Sequence, residues 1–268
     1  MNGGHAMRSD AIALEEHRLE KVQGIDDYPA VHERHRAFPA VFEGRGHRRV
    51  LDISAGIGVV GKRLRDLYTA EVVCNEVSPK CLSSLQAEGL PTLSFDLDDP
   101  GTAYPVPDQS FDAIVSLATI EHLIHTEHFV REIRRILKDD GRLYLSAPNY
   151  AGLTYLMPFL ITGRAFHDPM NPQDRYEFFA HVRYFTYRTM VELMGSYGFT
   201  AEAAYLPLPK ESTKFVALKE RSPMRAALVG FTFRIVYTLG SPRWAAEPIV
   251  CFAKDLGQPR QAVRKVIL

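Results

Sequence analysis

The chain has 268 residues, 32 Lys and Arg against 32 Asp and Glu, a formal net charge of zero, 46% hydrophobic residues and 24% charged ones. Such proportions belong to a globular chain long enough to bury a core, and they exclude disorder, low complexity and any global electrostatic case for nucleic acid or an anionic membrane. Three cysteines without a CxxC spacing make neither a disulfide framework nor a zinc knuckle, and with no apolar leader in residues 1–10 the expected setting is reducing and cytoplasmic.

Residues 1–45 read as a helical segment that carries Tyr28, His32, His35 and Arg36, the last three at helical spacing on a solvated cationic face. From about 48 to 148, runs rich in Val, Ile and Leu (49–53, 71–75, 91–95, 111–117 and 141–146) alternate with amphipathic patterns at 60–68, 79–88 and 126–137. Ser78 followed by Pro79 supplies an N-cap and a first-turn proline. This order predicts a parallel sheet covered on both faces. Residues 143–163 hold no charge and are long enough to span a bilayer, but Ala147-Pro148-Asn149 divides them into a strand, a turn and a buried or capping segment.

After an aromatic-rich stretch, a helix over 186–197 capped by Thr186 is followed by strands at 200–206 and 214–219. Their link, Pro207-Leu-Pro-Lys-Glu-Ser212, is too short for a crossover helix, so the two are expected as an antiparallel hairpin. The expected fold is α/β, a Rossmann-like seven-stranded sheet, mostly parallel, ending in that hairpin, with helices on both faces. Residues 46–220 form its domain, 149–185 a lid-like insertion and 221–268 a helical tail. Arg225 and Arg234 interrupt the apolar run of the tail, which reads first as core packing, then as a dimer surface or a membrane-interfacial helix.

The loop after the first strand reads Asp52-Ile-Ser-Ala-Gly56-Ile-Gly58-Val-Val-Gly61, a GxGxxG that alone is a weak sign of a dinucleotide site. Asp52 weighs against an anionic ligand, because like charges about 5 Å apart repel by roughly 3 kcal/mol at an effective dielectric near 20. A ligand carrying an ammonium and a sulfonium meets no such barrier. Glu76 at the end of the second strand is placed to accept both hydroxyls of a ribose, and Asp96 follows the third strand. Three carboxylates thus converge on the crevice where open α/β sheets bind ligands.

Through Val50-Leu-Asp-Ile-Ser-Ala-Gly-Ile-Gly58, Asn75-Glu-Val-Ser-Pro79, Phe95-Asp-Leu97, Pro107-Asp-Gln-Ser-Phe-Asp-Ala-Ile-Val-Ser116 and Ile120-Glu-His-Leu123, the chain resembles the class I S-adenosylmethionine-dependent methyltransferases over residues 48–148 and more loosely to 219. The resemblance implies S-adenosylmethionine as cofactor. It also implies that Gly56 and Gly58 lie against it, that Asp52 works near its amino acid part, that Glu76 with Val77 holds the ribose, and that Asp96 and Leu97 contact adenine. Ser54 is placed with the cofactor-binding residues but departs from the pattern, standing where the family has the first glycine of the loop.

Methyl transfer from an activated sulfonium asks mainly for proximity and exclusion of water, and for a base only when the acceptor must lose a proton. His122, after the fourth strand, is the candidate base. The 149–185 segment, with Tyr150, Tyr155, Phe159, Phe166, Tyr176, Phe178, Phe179, Tyr184 and Phe185, reads either as a satellite core or as a lid that favours a hydrophobic, aromatic or sugar-faced small-molecule acceptor. His167 with Asp168, and His181 with Glu177, have no metal-ligand spacing, so no metal is expected. The alternatives are a non-catalytic S-adenosylmethionine-binding protein and an NAD-type oxidoreductase. A nucleic-acid substrate is not expected, since the chain carries neither a basic appended domain nor an Asn-Pro-Pro-Tyr motif after residue 117.

Overall fold

The computed structural model describes residues 16, 19–20, 22, 24–28, 31–164, 167–170, 175–259 and 261–268, with 175–177 as backbone alone. Its first half alternates strand and helix. β1 (Arg49–Ile53), β2 (Glu71–Asn75), β3 (Thr92–Leu93), β4 (Phe111–Leu117) and β5 (Leu137–Ser146) follow a short helix α1 (Glu33–Arg36) and are separated by α2 (Val59–Leu67), α3 (Pro79–Ala87) and α4 (Thr126–Ile136). The second half adds α5 (Leu153–Thr162), α6 (Arg175–Ala180), α7 (Tyr187–Ser196), β6 (Phe199–Leu206), α8 (Thr213–Arg221), α9 (Pro223–Leu239), β7 (Ile249–Lys254) and β8 (Arg264–Ile267).

All eight strands join one sheet in the order β3-β2-β1-β4-β5-β7-β6-β8. β7 is antiparallel to both of its neighbours, β5 and β6, and the other strands run one way. The expected mostly parallel α/β sheet is therefore present, with helices on both faces. Alternation of side chains sends Val50, Val72, Val115 and Tyr144 to a face covered by Phe38, Phe42, Val60, Leu64 and Leu85. It sends Leu51, Ile53, Ile114 and Leu145 to the face covered by Phe129, Ile133, Met190 and Met194. Local signals set the helix ends: Ser78 Oγ accepts from the Cys81 amide, and Thr186 Oγ1 from the Thr189 amide.

The sequence misplaced the antiparallel partner of β6. Residues 214–219 lie in α8, a helix with no buried residue, and the pairing strand is β7 in the tail. That tail is thus not all helical, since it also adds β8 at the edge of the sheet beside β6. The strand-like Phe215-Val-Ala-Leu218 finds no place beside β6, because β7 and β8 occupy both of its sides. α5 likewise leaves its apolar run outside the core, with no buried residue and with Leu160 and Ile161 exposed. No helix among the described residues is long and apolar enough to cross a membrane.

The amino-terminal segment is bound to the carboxy-terminal one, and its cations do not form a solvated face. Arg36 donates to Glu33 and to the carbonyls of Leu208 and Leu268, and Arg34 donates to Glu247. Glu33 Oε1 accepts the amides of Lys210, Glu211 and Ser212. The helix here extends only over Glu33–Arg36, so Tyr28 lies outside it, after a 3-10 turn at Ile25–Asp27.

Phe42 is fully buried at the join between this segment and the sheet, its ring 4.8–5.5 Å from those of His47, Tyr144, Tyr68 and Phe38. Phe42→Ala leaves a cavity there and is expected to lower unfolding stability by roughly 3–5 kcal/mol. Urea denaturation reads this, and a change below 1 kcal/mol, roughly the size of a surface substitution, would contradict the placement of Phe42 in the core.

Candidate functional site

Each parallel strand delivers its last residue to one edge of the sheet, and the candidate site is assembled there. Asp52 stands near the end of β1, 3% exposed, on the α2 side of the loop. It accepts the amide of Gly61 in the first turn of α2, while its Oδ2 has no hydrogen-bond partner. Burial, with Glu76 nearby, pushes its pKa from 3.8 up to about 7. The side chain therefore supports the loop from behind and does not open onto the crevice. The repulsion that the sequence suggested against an anionic ligand reaches full strength only where Asp52 is ionised, above about pH 7.

The three glycines differ in what surrounds them. Gly56 has φ +58 and a Cβ added there would meet nothing within 4 Å, so its backbone faces open space. Gly58 has φ +97 and packs inward, because an added Cβ would lie 2.7 Å from Leu85 Cδ2. At Gly61 an added Cβ would lie 2.9 Å from Cys74 Sγ, so this glycine sets the close approach of α2 to β2. Ser54 is exposed and takes φ +55, a left-handed conformation that costs a side-chain-bearing residue roughly 1–2 kcal/mol. This is the physical reason for a glycine at that position in proteins of this loop pattern.

Glu76, half-buried after β2, accepts the Gly56 amide at 2.7 Å on Oε1 and the Val77 amide at 2.9 Å on Oε2. It thereby ties the glycine loop to the end of the next strand. β3 has only two residues, and Asn75 makes up the difference by exchanging two hydrogen bonds with the Phe95 backbone. That holds Asp96 and the buried Leu97 beside Glu76. Asp96 Oδ1 accepts the amide of Asp98, and Asp98 in turn accepts the amides of Ile124 and His125 beyond β4. The loops after β1, β2, β3 and β4 are thus linked into one rim.

After β4 the chain makes a 3-10 turn at Ile120–His122. His122 donates Nδ1–H to the Ala180 carbonyl at 3.1 Å, since that oxygen only accepts, and this leaves Nε2 as the lone-pair nitrogen. The amides of Val182 and Arg183 both reach the Glu121 carbonyl, so the insertion is laid across the turn. Glu121 is fully buried, its carboxylate has no donor within hydrogen-bond geometry beyond a marginal contact with its own backbone amide, and burial, with Glu247 nearby, pushes it up to about 8. His181, 8% exposed, is pulled down to about 3 by burial, with His122 and His167 nearby. One ligand atom from each of Glu121, His122 and His181 lies within 4.8 Å of the others. The sequence singled out His122 but not Glu121, and it linked His181 to Glu177, whose side chain lies outside the described residues.

Little of the insertion forms a satellite core. Tyr150 and Phe185 are buried, but Phe159, Phe178, Phe179 and Tyr184 are exposed; Phe166 and the Tyr176 side chain lie outside the described residues.

A family model described as a methyltransferase domain matches residues 17–204. The chain belongs to that methyltransferase-domain family. Among curated relatives, ajmaline N-methyltransferase of Rauvolfia serpentina is 30% identical over 141 residues, 51% of this chain and 46% of that protein. The 27-O-demethylrifamycin SV methyltransferase of Amycolatopsis mediterranei is 29% identical over 118 residues, 41% of this chain and 43% of its own. The chain therefore spans less than half the length of these relatives. In fold, it is similar to a chain from the Haloferax volcanii complex of the Trm112 methyltransferase activator with a methyltransferase, at TM-score 0.57 and 16% identity, covering 94% of this chain and 99% of that one. The 4+2 cyclase SpnF is similar at TM-score 0.53 and 16% identity, over 83% and 82% of the two chains. The methyltransferase-domain fold is thereby shared with a cyclase, so the fold alone does not define the reaction.

Asp52 provides a test of the site electrostatics. Between about pH 4 and pH 7 the folded state holds a proton that the unfolded chain has released, so ionisation of Asp52 lowers unfolding stability as pH rises. Asp52→Asn keeps an acceptor for Gly61 without that charge. Its stability relative to wild type is expected to rise across this window by on the order of 4 kcal/mol at most. Urea denaturation at a series of pH values measures the difference, and parallel profiles would contradict the buried, orphaned carboxylate.

Proposed function

We propose that the chain binds S-adenosylmethionine over the loop between β1 and α2 and transfers its methyl group to a small-molecule acceptor. The observation that carries this reading is the Glu76 carboxylate, fixed across the Gly56 and Val77 amides beside a glycine whose backbone faces open space. The residues present fit the cofactor. Glu76 is the group to accept ribose hydroxyls, Gly56 admits a close ligand where a Cβ would project, and Asp52, once ionised above about pH 7, adds a negative potential behind the loop that suits a cation. Gly58 and Ser54 shape the loop, Val77 anchors Glu76, and Asp96 with Leu97 borders the position for adenine.

When bound, S-adenosylmethionine supplies a methyl group already activated by its sulfonium. What the chain adds is orientation and dryness. The linked rim holds the loops after β1 to β4 in one arrangement, and the 180–183 segment closes over the turn that carries His122. His122, at Nε2, is the group placed to hold a proton released by an acceptor. The exposed rings of Phe178, Phe179 and Tyr184 favour an acceptor with apolar or aromatic surface, and two relatives are named for methylation of ajmaline and of 27-O-demethylrifamycin SV.

A second reading, cofactor binding without methyl transfer, is favoured by one observation, the strained Ser54 in the loop. It predicts cofactor binding and no methylated product from any acceptor.

Isothermal titration with S-adenosylhomocysteine, with NADH as control, tests the proposal. Wild type is expected to bind the first and not the second. Glu76→Ala should weaken binding by about tenfold or more, the equivalent of one charge-assisted hydrogen bond of roughly 1.5–3 kcal/mol. Binding of NADH in place of S-adenosylhomocysteine, or equal affinity in the Glu76 variant, would overturn it.

A further inference from the structure

Glu121 is fully buried, and its carboxylate has no donor within hydrogen-bond geometry, its own backbone amide being the one N–H that reaches it at the margin. A carboxylate removed from water and left without a partner is strongly unfavourable, and folded chains retain one only where a proton, a cation or a metal ion completes it. The charge of Arg34 reaches Glu121, but no hydrogen bond joins the two, and Arg34 is committed through Nη1 to Glu247 at 2.6 Å. What stands beside Glu121 is a pair of imidazoles. His122 Nε2 is 4.0 Å from Glu121 Oε1, and the His122 and His181 rings meet edge to face with centroids 4.7 Å apart.

We propose that Glu121, His122 and His181 bind a divalent transition-metal ion. Two histidines and one carboxylate are a donor set that suits zinc, iron(II), manganese(II) or cobalt(II). Their ligand atoms all lie within 4.8 Å of one another. Around a tetrahedral ion with bonds of about 2.1 Å the ligand atoms stand about 3.4 Å apart, so side-chain rotations that draw the donors in by on the order of 1 Å close the cluster around one ion. The neighbouring hydrogen bonds already orient the donors. Nδ1–H of His122 is given to the Ala180 carbonyl, which turns the Nε2 lone pair to the cluster. His181 bonds through Nδ1 to the Tyr150 hydroxyl at 2.8 Å, and that hydroxyl also reaches His167 Nε2 at 2.9 Å. With His181 donating to Tyr150 and Tyr150 donating to His167, Nε2 of His181 is left as a lone-pair donor. Such second bonds from ligating histidines to carbonyls and hydroxyls are what fixes tautomer and ring orientation in metal sites.

Three protein ligands leave positions open for oxygens of water or of an acceptor, as in catalytic rather than structural sites. Ligation takes the Nε2 lone pair of His122, so the metal-loaded protein polarises an acceptor oxygen where the bare imidazole would have held a proton. Metal binding itself does not rest on the methyl-transfer reading, and S-adenosylhomocysteine binding tests that reading separately.

The experiment is titration of the full chain, stripped with chelator and dialysed, with zinc chloride by calorimetry and with cobalt(II) chloride by visible absorption. Wild type is expected to take up one ion per chain and to give a cobalt spectrum with histidine-nitrogen ligation. Glu121→Gln and His181→Ala should each weaken binding by about 100-fold or more, and Tyr150→Phe by roughly tenfold, because loss of an outer partner alone costs about 10–100-fold. Circular dichroism reports folding, and Tyr150→Phe carries the comparison where a ligand variant fails to fold. Absence of saturable binding in wild type would overturn the proposal, as would wild-type affinity in folded Glu121→Gln and His181→Ala.

Discussion

The Glu76 carboxylate between Gly56 and Val77 is the interaction on which the site depends. A loop after a parallel strand has no partner strand to fix it, and a left-handed glycine makes it still freer. By taking the Gly56 amide, Glu76 makes the position of the loop a property of β2, and β2 is held in register against β1 from Arg49–Glu71 to Ile53–Asn75. Asn75 and the Asp96–Asp98 turn extend the same tie to β3 and to the turn after β4. One rim therefore results from four loops that have little regular structure of their own.

Two contrasting kinds of carboxylate stand out beside those that accept backbone amides. Glu132 with Arg135, Asp112 with Lys138 and Glu247 with Arg34 are paired, and they hold surfaces and chain ends together. Asp52 and Glu121 are buried with orphaned oxygens, both near the carboxyl ends of parallel strands. A carboxyl group buried without full hydrogen bonding is destabilising unless something completes it, so two such groups at this edge of the sheet are a stability cost borne where ligands of an open α/β sheet bind. The two raised carboxyl groups are therefore the chemical signature of the site as well as its position.

Much of the parallel half was legible because its signals are local. β1, β2 and β4 have the bounds that the apolar runs gave, and Ser78 and Thr186 cap the helices that they were expected to cap. Glu76 and Asp96 stand after β2 and β3, as the sequence placed them. The second half depends on pairing over long distances. Residues 215–218 look like a strand, but β7 takes the place beside β6 and β8 the edge beyond; Pro248 followed by Ile249-Val-Cys-Phe252 was the signal for β7 that periodicity in the tail obscured. The Glu121, His122 and His181 cluster could not be read at all. Its third member is 59 positions from the second and arrives only because the Val182 and Arg183 amides bond to the Glu121 carbonyl.

The most direct measurement is the amide spectrum of nitrogen-15-labelled protein as S-adenosylhomocysteine is added. A ligand over the glycine loop is expected to shift the amides of Gly56, Val77 and Leu97 together, with one saturation curve, and to leave those of α8 and α9 in place. Saturable shifts confined to other parts of the fold, with Gly56 and Val77 unmoved, would contradict the account.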